Sequence, residues 1–140
     1  MIRNASAVWR GGLKDGNGVV STATGVLKDT PYTFSTRFEN APGTNPEELV
    51  AAAHAACFAM AFSGKLGGAG MTAETIDTKA TLTLEKLDVG WTVTAIHLDV
   101  VSKILNADLA AYLAAAEDAR ATCPISRLLN AKITVTATLA

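Results

Sequence analysis

The first third of the chain reads as a meander of strands. Ala5 to Trp9 and Gly18 to Leu27 are rich in Val and Thr, with KDGNG at 14–18 between them. Asp15-Gly16 and Asn17-Gly18 both supply residues that tolerate the positive φ of a tight hairpin. Lys28-Asp29-Thr30-Pro31 makes a second break and introduces a third strand, Tyr32 to Phe38. There Tyr32, Phe34, Thr36 and Phe38 alternate with Thr33, Ser35 and Arg37, so Arg37 projects from the more polar side. A loop containing Pro42-Gly43 follows, from Glu39 to Thr44.

The period then changes. Asn45-Pro46-Glu47-Glu48 combines a cap for free amides, a proline suited to a first turn and two acids at the positive end of the helix dipole. From there to about Lys65 the sequence is Ala-rich and apolar on all sides, which predicts a central helix buried in the fold. Gly64, Gly67, Gly68 and Gly70 mark its end. Ile76 to Lys86 and Trp91 to Ser102 alternate again and are joined by LDVG, the pattern of a hairpin. Asn106 is placed to cap a second helix, Ala107 to Thr122, with Leu109, Leu113 and Ala116 at core spacing. Cys123-Pro124 opens a third short helix through about Asn130, and Ile133 to Leu139 closes the chain as a strand. The order is three strands, a long central helix, a β-hairpin, two helices and a strand. That is an α+β fold, read as one domain over 1–140.

Composition narrows the function. Of the 140 residues, 49% are hydrophobic and 18% charged, with 12 basic against 13 acidic side chains. Such a chain can bury a sizeable core without staples. The near-neutral balance offers no patch of Lys and Arg for nucleic-acid phosphates, so nucleic acid is not an expected partner. The N-terminus lacks the uninterrupted apolar stretch of a signal peptide, with Asn4 and Arg10 spaced through it. The most apolar segment, Leu49 to Phe62, has fourteen residues, fewer than the about 20 that a membrane span needs. A soluble, cytoplasmic protein with no membrane partner is expected.

Two cysteines are present, Cys57 and Cys123, 66 positions apart and outside any C-x-x-C motif. Cys57, inside the central helix, reads locally as a buried small hydrophobe. Cys123 stands at an expected helix N-cap, where free amides and the dipole would favour a thiolate, or it simply caps the helix. His54 lies one turn before Cys57, which admits a general base for a Cys nucleophile. A metal site would need His97 and Cys123 as well, and the spacing matches no zinc pattern. Arg37 and Glu47, taken alone, suit surface duty.

The string GTNPEELVAAAHAACFAMAF, Gly43 to Phe62, together with ATCPIS, Ala121 to Ser126, resembles the OsmC/Ohr family of organic hydroperoxide reductases. It is more similar to the osmotically inducible protein C branch, given NPEEL and His54, where the Ohr branch tends to NPEQLF and Tyr. The element order matches over essentially the whole chain. The resemblance implies a thiol peroxidase that needs no metal or flavin cofactor. Cys57 would be the peroxidatic cysteine, oxidised to a sulfenic acid, and Cys123 the resolving cysteine that forms a disulfide with it. Arg37 would be the activating arginine and Glu47 the carboxylate paired with it. It further implies an intertwined homodimer, organic hydroperoxides as substrates and a dithiol reductant such as a dihydrolipoyl group.

Elementary chemistry agrees with those roles. An apolar helix raises a thiol pKa, and a guanidinium close to sulphur lowers it and stabilises a leaving alkoxide. Phe58, Met60 and Phe62 would suit an alkyl chain, or simply pack the core. Ten residues of helix rise about 15 Å, so Glu47 and Cys57 of one chain cannot touch along a regular helix. If both serve one site, Glu47 comes from the partner subunit, and Arg37 travels with it. Two rival readings predict different behaviour. A non-catalytic dimeric module binding hydrophobic small molecules would tolerate loss of either cysteine. A cysteine hydrolase using His54 would form an acyl-enzyme and ignore Cys123.

Overall fold

Six strands and four helices make up most of the chain in the computed structural model, which describes all of residues 1–140. They fall into two compact units, Met1–Leu49 and Val50–Ala140. In the first unit β1 (Ala5–Arg10), β2 (Asn17–Thr22) and β3 (Thr30–Thr33) form the expected antiparallel meander. Its turn chemistry differs from the expectation, because the positive φ falls at Gly11 (88°) rather than within 14–18. Gly18 is required for another reason. A Cβ there would lie 2.6 Å from the Tyr32 ring and 2.7 Å from Trp9, whose ring centroids are 5.5 Å apart. β2 stops short of Leu27, since the chain folds back on Thr22: its N–H donates to Leu27 O at 2.9 Å and its hydroxyl accepts from Leu27 N–H at 3.2 Å.

The strand expected over Tyr32 to Phe38 ends at Thr33. The Thr33 hydroxyl accepts from Thr36 N–H at 3.2 Å, and the Thr36 hydroxyl accepts from Thr33 N–H at 3.0 Å. This reciprocal capping box starts a five-residue helix, α1 (Phe34–Phe38). Arg37 therefore sits in the last turn of a helix, not on a strand. The same turn brings Phe34 and Phe38 together at 4.9 Å between centroids, as i, i+4 spacing dictates.

The long helix α2 (Pro46–Gly68) starts where expected: Asn45 Oδ1 accepts from Glu48 N–H at 2.8 Å, while its Nδ2 donates to Thr36 O at 3.0 Å. It ends on Gly70, at φ 75°, with Met71 N–H bonded to Leu66 O and Gly70 N–H to Gly67 O. Gly64, Gly67 and Gly68 thus lie inside the helix. Burial is confined to one stripe of His54, Phe58, Phe62 and Leu66. Ala52, Ala53 and Ala56 are exposed and Met60 is 78% exposed, which corrects the expectation of a helix buried all round. Alanine is apolar but offers little area to bury, so only the large side chains at i, i+4 define the core face. By length and composition α2 could cross a bilayer, a measure that core helices also meet.

In the second unit β4 (Ala73–Leu87) and β5 (Gly90–Ile104) form the expected antiparallel hairpin through Leu87–Gly90. β6 (Lys132–Leu139) pairs with β5 in parallel, giving the order β4-β5-β6. A parallel neighbour requires a crossover, which α3 (Leu109–Thr122) and α4 (Pro124–Leu128) supply. The central strand β5 buries Ile96, Leu98, Val100 and Ser102 on one face. The apolar members of the α2 stripe, Met71 and α3 complete the core.

Two details of α3 correct the sequence reading. Its cap is Asp108, whose Oδ1 accepts from Ala111 N–H at 2.8 Å, while Asn106 occupies the preceding turn at φ 55°. Its core face is Tyr112, Ala115, Ala116 and Ala119, leaving Leu109 and Leu113 largely exposed. Tyr112 stacks on Phe62 at 5.3 Å, and its hydroxyl donates to Thr138 O at 2.9 Å, so it ties helix to sheet.

Candidate active site

Cys57 projects from α2, partly exposed, toward Cys123, which is fully buried at the junction of α3 and α4. The two sulphurs are 2.9 Å apart as free thiols. A pair separated by 66 residues is thereby brought within bonding reach, which spacing alone could not establish. Proline fits the first position of α4 because that N–H has no helical partner. Cys123 stands at the N-cap, as the sequence suggests, yet its side chain makes no cap hydrogen bond. The backbone N–H of Ile125 instead donates to Cys57, so the free amide at the start of α4 serves the other sulphur.

Burial pushes the Cys57 thiol above its ordinary range, the adjacent Cys123 adds to the rise, and the Ile125 N–H opposes it. Upward wins. The thiol form of Cys57 is favoured, so a nucleophilic role calls for a nearby cation.

His54 does not serve Cys57 as a base. Its Nε2 is bonded to Ser126 Oγ at 2.8 Å, and its Nδ1 is buried with no partner. Burial holds His54 below the usual imidazole range, so the ring is neutral. With one unpartnered nitrogen, the tautomer carrying its proton on Nε2 avoids an orphaned donor and gives Ser126 the hydrogen bond. Sequence reasoning missed Ser126 altogether. The available signal was positional, because Ser126 follows Cys123 by three residues just as His54 precedes Cys57 by three.

Arg37 and Glu47 meet in the N-terminal unit. Arg37 Nε donates to both carboxylate oxygens at 2.9 and 3.1 Å, and its Nη2 donates to Oε1 at 2.6 Å. The planar fork is engaged edge-on, the strongest geometry for this pair. Glu47 is the more buried partner, with 15% of its side chain exposed against 38% for Arg37. The neighbouring Glu48 carboxylate accepts from Thr44 Oγ1 at 3.0 Å instead. Beside Arg37, the aromatic side chains of Trp9, Tyr32, Phe34 and Phe38 line a cleft of about 270 Å³. Phe58 and Phe62, by contrast, are wholly buried core residues, and Met60 points outward, so these three do not wall a cleft. His97 lies on β5, bonded through Nδ1 to Thr134 Oγ1 at 2.6 Å, with Nε2 3.3 Å from Asp99.

Comparison with known proteins places this arrangement. The family model described as OsmC-like protein matches residues 38–138. Peroxiredoxin OsmC of Escherichia coli (strain K12) is 47% identical over 133 residues, covering 95% of this chain and 93% of the relative. The structure of the organic hydroperoxide resistance protein OhrB of Bacillus subtilis superposes with a TM-score of 0.68 at 24% identity, over 98% of both chains. An OsmC-like protein of unknown function from Vibrio cholerae gives a TM-score of 0.78 at 15% identity, over 98% of this chain and 99% of its own. The structural likenesses establish a shared α+β fold along the whole chain. With a family model across both cysteines and a close relative along nearly the full length, this chain belongs to the OsmC-like protein family.

Proposed function

We propose that this protein is a cysteine-based peroxidase that reduces organic hydroperoxides to alcohols and so defends against oxidative stress. The observation that carries the reading is the 2.9 Å approach of Cys57 and Cys123 in a member of this family. The name of the 47% identical relative, a peroxiredoxin, supports it. The Cys57 thiolate attacks the terminal peroxide oxygen. The O–O bond breaks, the alkoxide takes up a proton to leave as alcohol, and Cys57 becomes a sulfenic acid. Cys123 then attacks the Cys57 sulphur: an S–S bond forms, the S–O bond breaks, and the hydroxyl leaves with the Cys123 proton as water. A dithiol, in our reading a dihydrolipoyl group, restores both thiols by exchange and is itself oxidised.

Arg37 supplies the cation that the raised Cys57 pKa calls for, lowering it and stabilising the leaving alkoxide, while Glu47 fixes the guanidinium fork. The regular helix between Glu47 and Cys57 supports delivery of the Arg37–Glu47 pair by a partner subunit, since ten residues rise about 15 Å. We accordingly propose a homodimer whose chains each act as one OsmC-like domain over 1–140, in the cytoplasm. The aromatic cleft beside Arg37 suits the organic part of a hydroperoxide.

The test is consumption of cumene hydroperoxide with dihydrolipoamide as reductant. Cys57→Ser should abolish turnover. Arg37→Gln should lower it by about a hundredfold or more and shift the remaining activity to alkaline pH, because the thiol then ionises only above its ordinary range. Full turnover in the Cys57→Ser protein would overturn the reading.

A further inference from the structure

Two links join α2 to α4 side by side, and chemistry at sulphur changes only one of them. The first is the Cys57–Cys123 contact at 2.9 Å, which is remade whenever either sulphur is oxidised or reduced. The second is the His54 Nε2–Ser126 Oγ hydrogen bond at 2.8 Å, which no redox step touches. The spacing matches on both elements: His54 lies three residues before Cys57 on α2, and Ser126 three after Cys123 on α4. His54 and Cys57 share one face of α2, and Cys123 leads into α4 three residues before Ser126, so the polar link runs alongside the sulphur link.

The helix that presents Cys123 to its partner needs such a link. α4 has five residues, too few to hold a helical register by itself. Ser126 is its only buried residue, and Leu128 is 74% exposed. His54 and Ser126 are both buried, at 0% and 8% exposure, where water cannot replace the bond. The neutral ring suits this duty, since an imidazolium would need a counter-ion that the bonded hydroxyl cannot provide.

We propose that the His54–Ser126 hydrogen bond is a clamp that positions Cys123 against Cys57 for disulfide closure, a role that rests on the two-cysteine reading above. His54 and Ser126 are positioning residues and take no part in bond making. The clamp keeps the two helices in register while Cys57 is a sulfenic acid and the sulphur contact is interrupted. It also biases the thiol pair toward closure with any oxidant.

The experiment measures closure without peroxide. The full-length protein is equilibrated in buffers of oxidised and reduced glutathione, free thiols are alkylated, and the Cys57–Cys123 disulfide is quantified by mass spectrometry. Each disulfide formed reduces one oxidised glutathione to two reduced molecules, so the balance point gives the effective concentration of the pair. Ser126→Ala and His54→Asn should lower it severalfold, with the about tenfold worth of one buried hydrogen bond as the upper limit, because the closed disulfide and the clamp each restrict the motion the other must overcome. Ser126→Thr keeps the hydroxyl, and His54→Gln places an amide N–H near the position of Nε2, so both should recover most of the loss.

An unchanged balance point in Ser126→Ala and His54→Asn would overturn the clamp. A loss that the Thr and Gln variants fail to recover would overturn it equally, by showing general damage. Peroxide turnover measured on the same samples separates the two claims. A wild-type protein that closes its disulfide but ignores cumene hydroperoxide refutes the peroxidase reading and leaves the clamp standing.

Discussion

His54 shows how burial turns one side chain from a candidate base into a structural donor. Its pKa is lowered by desolvation, so the unfolded chain binds a proton on acidification before the folded one does. The neutral ring therefore contributes stability that is present above the ordinary imidazole pKa, about 6.5, and lost as pH falls through the depressed folded value. Urea midpoints should decline on acidification below about pH 6.5, and His54→Gln should flatten that decline. An identical acid limb in the variant would show that other groups carry it. Cys57 obeys the opposite sign. Its raised pKa favours the folded thiol until alkaline pH, where the unfolded chain ionises first and stability falls.

Local rules made the chemistry-bearing residues legible one at a time, while the pairings Cys57–Cys123 and Arg37–Glu47 came only with the family resemblance, and the contacts of Ile125 and Ser126 not at all. Glu47 in a first helical turn and Cys123 before Pro124 could be read from local rules of capping. The Ile125 amide at Cys57 and the hydroxyl of Ser126 at His54 join elements far apart in sequence, and no local pattern encodes such a meeting.

Elements were legible where periodicity and punctuation agreed. The hairpin of β4 and β5, the start of α2 and the closing strand β6 all lie near their expected places. The stretch from Tyr32 to Phe38 failed because its alternation fits a strand, while the Thr33–Thr36 capping box closes a helix across it. Hydroxyl-to-backbone bonds of this kind compete with the extended ladder, and here they win. In α3 the apolar residue of greatest weight is Tyr112, whose polar tip hid it from a core reading based on leucine. Its ring packs against Phe62 and its hydroxyl satisfies Thr138 O. Tyr112→Phe should cost about 1 kcal/mol in denaturant unfolding, and Phe58→Ala about 3–5 kcal/mol through the cavity it leaves. A smaller loss for Phe58 than for Tyr112→Phe would mean that the α2 stripe is not the centre of this core.

At the scale of the whole molecule, the arrangement divides the proposed chemistry between two units. The C-terminal unit carries both thiols and favours the thiol form of Cys57. The N-terminal unit carries the guanidinium, its carboxylate and the aromatic cleft. The element order was legible apart from α1, because the hydrophobic pattern sets which segments must be covered. Pairing of β6 in parallel beside β5 was not legible, since it follows from the crossover of α3 and α4 rather than from any strand's own residues.

The most direct measurement treats the reduced protein with one equivalent of cumene hydroperoxide and counts thiols by mass spectrometry. The account predicts loss of both thiols as a Cys57–Cys123 disulfide, and trapping of Cys57 as a sulfenic acid in Cys123→Ser. Survival of both thiols through a fast, stoichiometric challenge would contradict it, and the aromatic cleft would then be a binding site without redox chemistry.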